Sequence, residues 1–282
     1  MIIAVLVVFG LALGSFVNAL VWRVREQTKE GSKKKPDSKY LKKLSVSKGR
    51  SMCPNCHHEL TAKDLLPVIS WLGLKGKCRY CRKSISAQYP LVELATAGLF
   101  AASYLLWPED INGGQVLLFI IWLGLIVGLM ALLVYDLRWK LLPNRIMYPL
   151  SGLAGLYALV SVVVADSPVK ALLNVILAVI VGGGLFYVLF QVSKGKWIGG
   201  GDVKLGWLLG LIVGTPAKAI LLIFLASLLG SLVSLPLLAT NRLKRNSTIP
   251  FGPFLITAAI IVVLFGGDMI TWYQRTFLPV TL

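Results

Sequence analysis

Residues 115–135 read QVLLFIIWLGLIVGLMALLVY, a run without a single charge that stops at Asp136-Leu137-Arg138. A helix of about 20 apolar residues matches the ~30 Å hydrocarbon thickness of a bilayer. Taken alone, the run would also suit a buried core helix. The rest of the chain decides the matter. Similar runs occur at 1–21, 89–106, 146–165, 169–192, 217–238 and 251–265, with a shorter one at 203–213. Of 282 residues 56% are hydrophobic, and the mean hydropathy is +0.76. Too little polar surface remains to enclose such helices in water. The sequence therefore predicts an all-α polytopic membrane protein of about eight transmembrane helices. Its expected organisation is a first transmembrane helix at 1–21, a cytoplasmic basic and zinc-binding domain at 22–88, and a helical membrane domain at 89–282.

Lys and Arg number 29 against 12 Asp and Glu, a net charge of +17. In a soluble chain that excess would point to nucleic acid. In a membrane chain it marks loops held on the cytoplasmic side, where they face anionic lipid. The breaks with Arg138, Lys140 and Arg145, with Lys194 and Lys196, and with Arg242, Lys244 and Arg245 alternate with breaks holding Glu109, Asp110, Asp166 and Asp268. The basic block 22–88 falls on the basic side. The expected partners are thus anionic membrane lipids, not nucleic acid. The first run has the hydrophobicity of a secretory signal but no basic residue before it. It is read as a retained span, and an even span count puts both termini outside. The lysine-rich residues 29–43 hold little apolar content and are expected to be disordered.

Cys53-Pro54-Asn55-Cys56 and Cys78-Arg79-Tyr80-Cys81 contain all four cysteines of the chain. Two C-x-x-C knuckles at this separation suit one tetrahedral zinc ion. Disulfides or a redox pair are the alternative, and a cytoplasmic location argues against stable disulfides. His57 and His58 adjoin the first knuckle. Four thiolates nevertheless close the coordination shell, which makes the expected zinc structural.

Among the acidic residues only Glu93, Asp136 and Asp202 lie within or at the ends of the apolar runs. An ionisable group there is costly and marks a functional site. Both histidines lie in the polar block, so histidine-assisted nucleophilic catalysis has no means in the membrane part. The alternating loops put Asp136 and Asp202 at one cytoplasmic face. Two carboxylates brought together from distant positions suit aspartyl peptide hydrolysis: one takes a proton from water while the other donates to the scissile carbonyl. Asp202 follows Gly199-Gly200-Gly201, where an extended substrate backbone can come close. Lys204 is read as a neighbour of Asp202 or a lipid contact. Simple helix capping, or pairing of each aspartate with Arg138 or Lys204, is the plainer reading.

These residues fall into recognisable motifs, and the chain resembles the bacterial prepilin leader peptidases. Gly14-Ser15-Phe16-Val17-Asn18 with Arg23 looks like the family's N-terminal motif. The cysteine knuckles, Asp64-Leu65-Leu66-Pro67 and Tyr89-Pro90-Leu91-Val92-Glu93 are similar to its zinc loop. Asp136 with Leu142-Pro143-Asn144, Gly199 to Lys204, and Pro250-Phe251-Gly252-Pro253-Phe254 resemble the remaining motifs. The lysine-rich stretch around 26–44 is longer than the family's pattern.

The resemblance implies cleavage of type IV prepilins and pseudopilins after a glycine, at the cytoplasmic face of the bacterial inner membrane, in type IV pilus and type II secretion systems. It also implies methylation of the new terminus from S-adenosylmethionine, with Zn2+ as structural metal. Asp136 and Asp202 are the expected catalytic pair, and Gly199, Gly201 and Lys204 their support. Cys53, Cys56, Cys78 and Cys81 are the expected ligands, and Glu93 is the one candidate for methyl transfer. Three competing readings remain: a G-x-G-D protease of other membrane helices, a transporter using membrane aspartates, and a zinc-ribbon scaffold.

Overall fold

The computed structural model describes residues 1–28, 44–45, 49–240 and 249–278. The lysine-rich residues 29–43 and the loop of Arg242, Lys244 and Arg245 lie outside them. The helices are α1 (Ile2–Thr28), α2 (Ile69–Gly73), α3 (Gln88–Leu105), α4 (Gly113–Trp139), α5 (Asn144–Val164), α6 (Pro168–Ser193), α7 (Gly200–Val213), α8 (Pro216–Ala239) and α9 (Gly252–Phe277). A 3₁₀ turn covers Ala62–Leu65. Among the described residues the only β pairings are isolated bridges, Met52 with Glu59 and Lys77 with Ser84.

Each expected span is helical, and six helices (α1, α4, α5, α6, α8 and α9) are long and apolar enough to cross a bilayer. The chain is a multi-pass, all-helical membrane protein. The helix α7, with 14 residues, covers only about 21 Å at 1.5 Å per residue. It is short because it is internal: Val203, Leu205, Leu208, Leu209, Ile212 and Val213 are all buried. Two helices outrun their expected ends. The helix α1 continues to Thr28, seven residues into the polar block. The helix α9 runs through Gly266-Gly267 to Phe277 and takes Asp268, expected in a loop, into its body. Interior glycines cost only about 1 kcal/mol each, too little on their own to stop a helix.

The chain forms two compact units, Met1–Leu105 with Ile126–Val134, and Leu106–Leu125 with Tyr135–Leu282. In the first, α1 lies directly on α3. A Cβ on Gly10 would come 2.6 Å from the Ala97 Cα, and one on Gly14 would come 2.7 Å from the Glu93 Cα. Small residues allow this backbone approach in a membrane helix pair. In the second unit α6 and α7 make a comparable contact. A Cβ on Gly210 would come 2.7 Å from the Val179 Cα, and one on Gly183 would overlap the Trp207 ring. Helices α5, α6 and α9 surround α7. The C-terminal ends of α4 and α6 and the N-terminal ends of α5, α7 and α9 thus share one end of this unit.

Candidate active site and metal centre

The knuckles are near-copies. The Cys53 amide donates to the His58 carbonyl, and the His57 amide returns to Cys53 O at 2.9 Å. Cys78 repeats the pattern with Lys83 O and the Arg82 amide. His57 (φ 56°) and Arg82 (φ 58°), each directly after the second cysteine, turn left-handed and fold the backbone around the thiols. The four ligand atoms lie within 4.8 Å of one another, and Cys53 and Cys81 Sγ are 3.9 Å apart. Tetrahedral zinc with Zn–S near ~2.3 Å needs sulfurs about 3.8 Å apart, so the residues fit the ion. The thiols form no disulfide. His57 and His58 are not part of the cluster; His58 stacks on Tyr80 with ring centroids 3.7 Å apart. Burial pushes the Cys53 thiol up to about 12. Burial would raise Cys78 as well, but amides of Cys81 and Tyr80 and the Cys53 thiol bring it down to about 7.

Asp64 ties the 3₁₀ turn to the second knuckle. Its carboxylate accepts from Arg79 Nε at 2.7 Å, Tyr80 Oη at 3.0 Å and Thr61 Oγ1 at 2.9 Å. Burial would raise this carboxyl; the donors outweigh it and hold it at about 2.

Beneath the knuckles lies a cavity of about 120 Å³ lined by Asn18, Trp22, Cys53, Trp71, Cys78 and Glu93 among others. That is well above the ~10–15 Å³ a single water needs by the same measure. Glu93 is buried, accepts from the Val68 amide at 2.7 Å, and is hydrogen-bonded by Ser15. Asn18 donates to Tyr89 O at 3.0 Å, and Arg23 donates to the Ser45 and Gly49 carbonyls. The sequence reading gave Ser15, Asn18 and Arg23 no role. The available signal was a polar side chain, Asn18, inside an apolar run.

In the second unit Asp136 lies near the C-terminal end of α4, only 4% exposed. Asp202 is in the first turn of α7. Their charges are near enough to act on each other. A glycine amide holds each carboxylate: Gly252 donates to Asp136, and Gly199 to Asp202. Asp202 N returns a bond to Gly199 O at 3.0 Å. Leu142 packs against both sides. A Cβ on Gly201 would come 3.2 Å from its Cβ, and one on Gly252 would come 3.7 Å from its Cδ2. Lys204 does not pair with Asp202. It donates to Asn144 Oδ1 at 2.9 Å and lies over the Tyr148 ring at 5.4 Å.

A multi-pass helical membrane protein with two carboxylates near one another and a four-thiol cluster fits the class of polytopic membrane enzymes. Comparison narrows this. The family model described as bacterial peptidase A24 N-terminal domain matches residues 8–107, and that of the type IV leader peptidase family matches residues 123–235. A prepilin leader peptidase/N-methyltransferase of Aeromonas hydrophila is 34% identical over 279 residues, covering 96% of this chain and 93% of the relative. One of Bacillus subtilis is 30% identical over 273 residues, covering 97% and 98%. An Escherichia coli type 4 prepilin-like proteins leader peptide-processing enzyme is 34% identical over 264 residues, covering 90% of each. No solved structure matches. The chain belongs to the type IV leader peptidase family and is a membrane peptidase with methyltransferase activity.

A methyl group on Gly252 would overlap the Asp136 carboxylate. Gly252→Ala therefore displaces that carboxylate, and is expected to lower peptide cleavage by about 10²-fold or more if cleavage depends on its position. Steady-state cleavage by protein of unchanged thermal midpoint measures it; wild-type turnover would mean that the carboxylate's position is not critical.

Proposed function

We propose that the chain removes the leader peptide of type IV prepilins and pseudopilins at the cytoplasmic face of the bacterial inner membrane, and N-methylates the new terminus with S-adenosylmethionine. The observation that carries this reading is the meeting of Asp136 and Asp202, each held by a glycine amide, at one end of one unit. The basic breaks at Arg138, Lys140, Lys194 and Lys196 lie at that end and support a cytoplasmic location.

In this reading one carboxylate takes a proton from water as the water oxygen attacks the scissile carbonyl carbon. The other, protonated, donates to the carbonyl oxygen. The tetrahedral adduct collapses, the C–N bond breaks, and the leaving amine takes up a proton. Such groups contribute about 10²–10⁴-fold each. Asp136→Asn and Asp202→Asn are each expected to lower prepilin cleavage by at least that much while the protein still inserts. Processing by both variants at wild-type rate sinks the assignment.

Methyl transfer is assigned to the cavity of the first unit. The donor supplies an activated methyl on a sulfonium cation, and the cavity lining of Glu93, Trp22 and Trp71 offers the carboxylate and aromatic side chains that attract such a cation. Glu93 also accepts the proton that the substrate amine loses on methylation. Incubating the protein with a prepilin and labelled S-adenosylmethionine, then weighing the product's N-terminus, tests both halves. Glu93→Gln keeps an oxygen for the Val68 amide and is expected to leave a cleaved but unmethylated product; methylation at wild-type rate removes Glu93 from the reaction.

Zn2+ on Cys53, Cys56, Cys78 and Cys81 would fix the roof of this cavity, which includes Cys53 and Cys78. Elemental analysis is expected to find about one zinc per chain, lost on Cys53→Ser with Cys78→Ser. Metal-free wild-type protein would contradict a zinc site.

A further inference from the structure

The second unit has another cavity, of about 270 Å³, at the end remote from Asp136 and Asp202. It lies where α5 and α7 finish and α6 and α8 begin, between Ser161, Asn174, Val213 and Lys218. Its walls are mixed: Leu118, Val175 and Val263 are apolar, while Tyr157, Asn174 and Lys218 supply polar groups. The peptidase reading uses none of these.

Lys218 is desolvated by its surroundings and makes no ion pair or side-chain hydrogen bond among the described residues. The one opposite charge acting on it is Glu109, an exposed residue that also lines the cavity. The Tyr157 phenol is likewise desolvated by burial, and no hydrogen bond holds it among the described residues. An enclosed ammonium, an amide and a hydroxyl facing one space without partners are costly in a membrane protein unless something else satisfies them. The polarity is graded, with a cation inside and a carboxylate at the exposed rim. Trp107 stands at the rim with Glu109, its indole N–H 3.4 Å from Gln115 Oε1. On α6 beside the cavity, Leu172, Leu173 and Ile176 are exposed.

We propose that this cavity binds a zwitterionic phosphoethanolamine group, its phosphate on Lys218, Tyr157 and Asn174 and its ammonium on Glu109. A phosphate is the oxyanion that an ammonium, an amide and a phenol can satisfy together. An ammonium two carbons away would then meet the carboxylate at the rim. The exposed leucines of α6 offer acyl chains a path along the helix surface, so the headgroup of a phosphatidylethanolamine fits as the source. The alternative source is a free solute with the same headgroup.

Native mass spectrometry of the delipidated full-length protein in detergent tests this, titrated separately with phosphatidylethanolamine, phosphatidylglycerol and soluble O-phosphoethanolamine. Wild type is expected to retain phosphatidylethanolamine at least tenfold better than phosphatidylglycerol, which lacks the ammonium. Lys218→Met is expected to lose that retention and Lys218→Arg to regain it, while Glu109→Gln erases the preference between the lipids. Binding of O-phosphoethanolamine without the lipid would keep the site and move its ligand to solution. Equal retention of both lipids by wild type, or Lys218→Met binding as wild type does, overturns the proposal. The thermal midpoint of each variant without lipid separates a lost site from a lost fold.

Discussion

Two backbone amides organise the aspartate end of this protein. Gly252 N–H on Asp136 and Gly199 N–H on Asp202 give each carboxylate a fixed partner where a flexible cation would leave it free to swing. Only the first donor has to be a glycine, although the space at 201, between the second donor and Asp202, is also tight. At 252 a side chain would occupy the carboxylate's place. At 201 the Leu142 side chain closes the space from the other side. An amide donor stabilises charge without neutralising it, and so preserves a carboxylate for chemistry in surroundings where an unpaired charge is costly.

That end is rigid because the short helix behind it is locked. The α7 backbone meets α6 so closely that Gly206 and Gly210 leave no room for a Cβ. With most of its apolar side chains buried, Trp207 being the exposed exception, α7 need not match the bilayer thickness. It serves as a support that holds Asp202 at a set depth. Lys204, two residues further on, points away to Asn144 and ties α7 to the start of α5.

Much of this was legible in the sequence, for physical reasons. Apolar runs of bilayer length announce themselves, and charges inside them are rare enough to sort by elimination, which isolated Glu93, Asp136 and Asp202. The cysteine spacing carried its geometry with it. The misses arose where local signals are weak or where contacts distant in sequence decide. Asp268 with Gly266 and Gly267 resembled a loop, but α9 continues to Phe277, eleven residues past its last buried position, because two glycines cost a helix only about 1 kcal/mol each. Ser15, Asn18 and Arg23 stand in the N-terminal motif, but the linear order does not say what they hold. Only the α1–α3 contact reveals that they hold Glu93, the Tyr89 carbonyl and the returning loop. Neither cavity has a linear signature, since residues from five or more segments line each.

The two aspartates occupy opposite ends of their helices, and this bears on how the proposed hydrolysis divides its labour. Asp202 is in the first turn of α7, where unpaired amides and the helix dipole favour negative charge. Asp136 is near the last turn of α4, at the electronegative end of that helix, and more enclosed by protein. A symmetric pair could exchange roles, but these surroundings differ. Within the proposed mechanism, the environment assigns the ionised, water-activating part to Asp202 and the proton-carrying part to Asp136. The asymmetry follows from chain direction alone: joining the C-terminal end of a long span to the N-terminal end of a short internal helix sets one carboxyl at each pole.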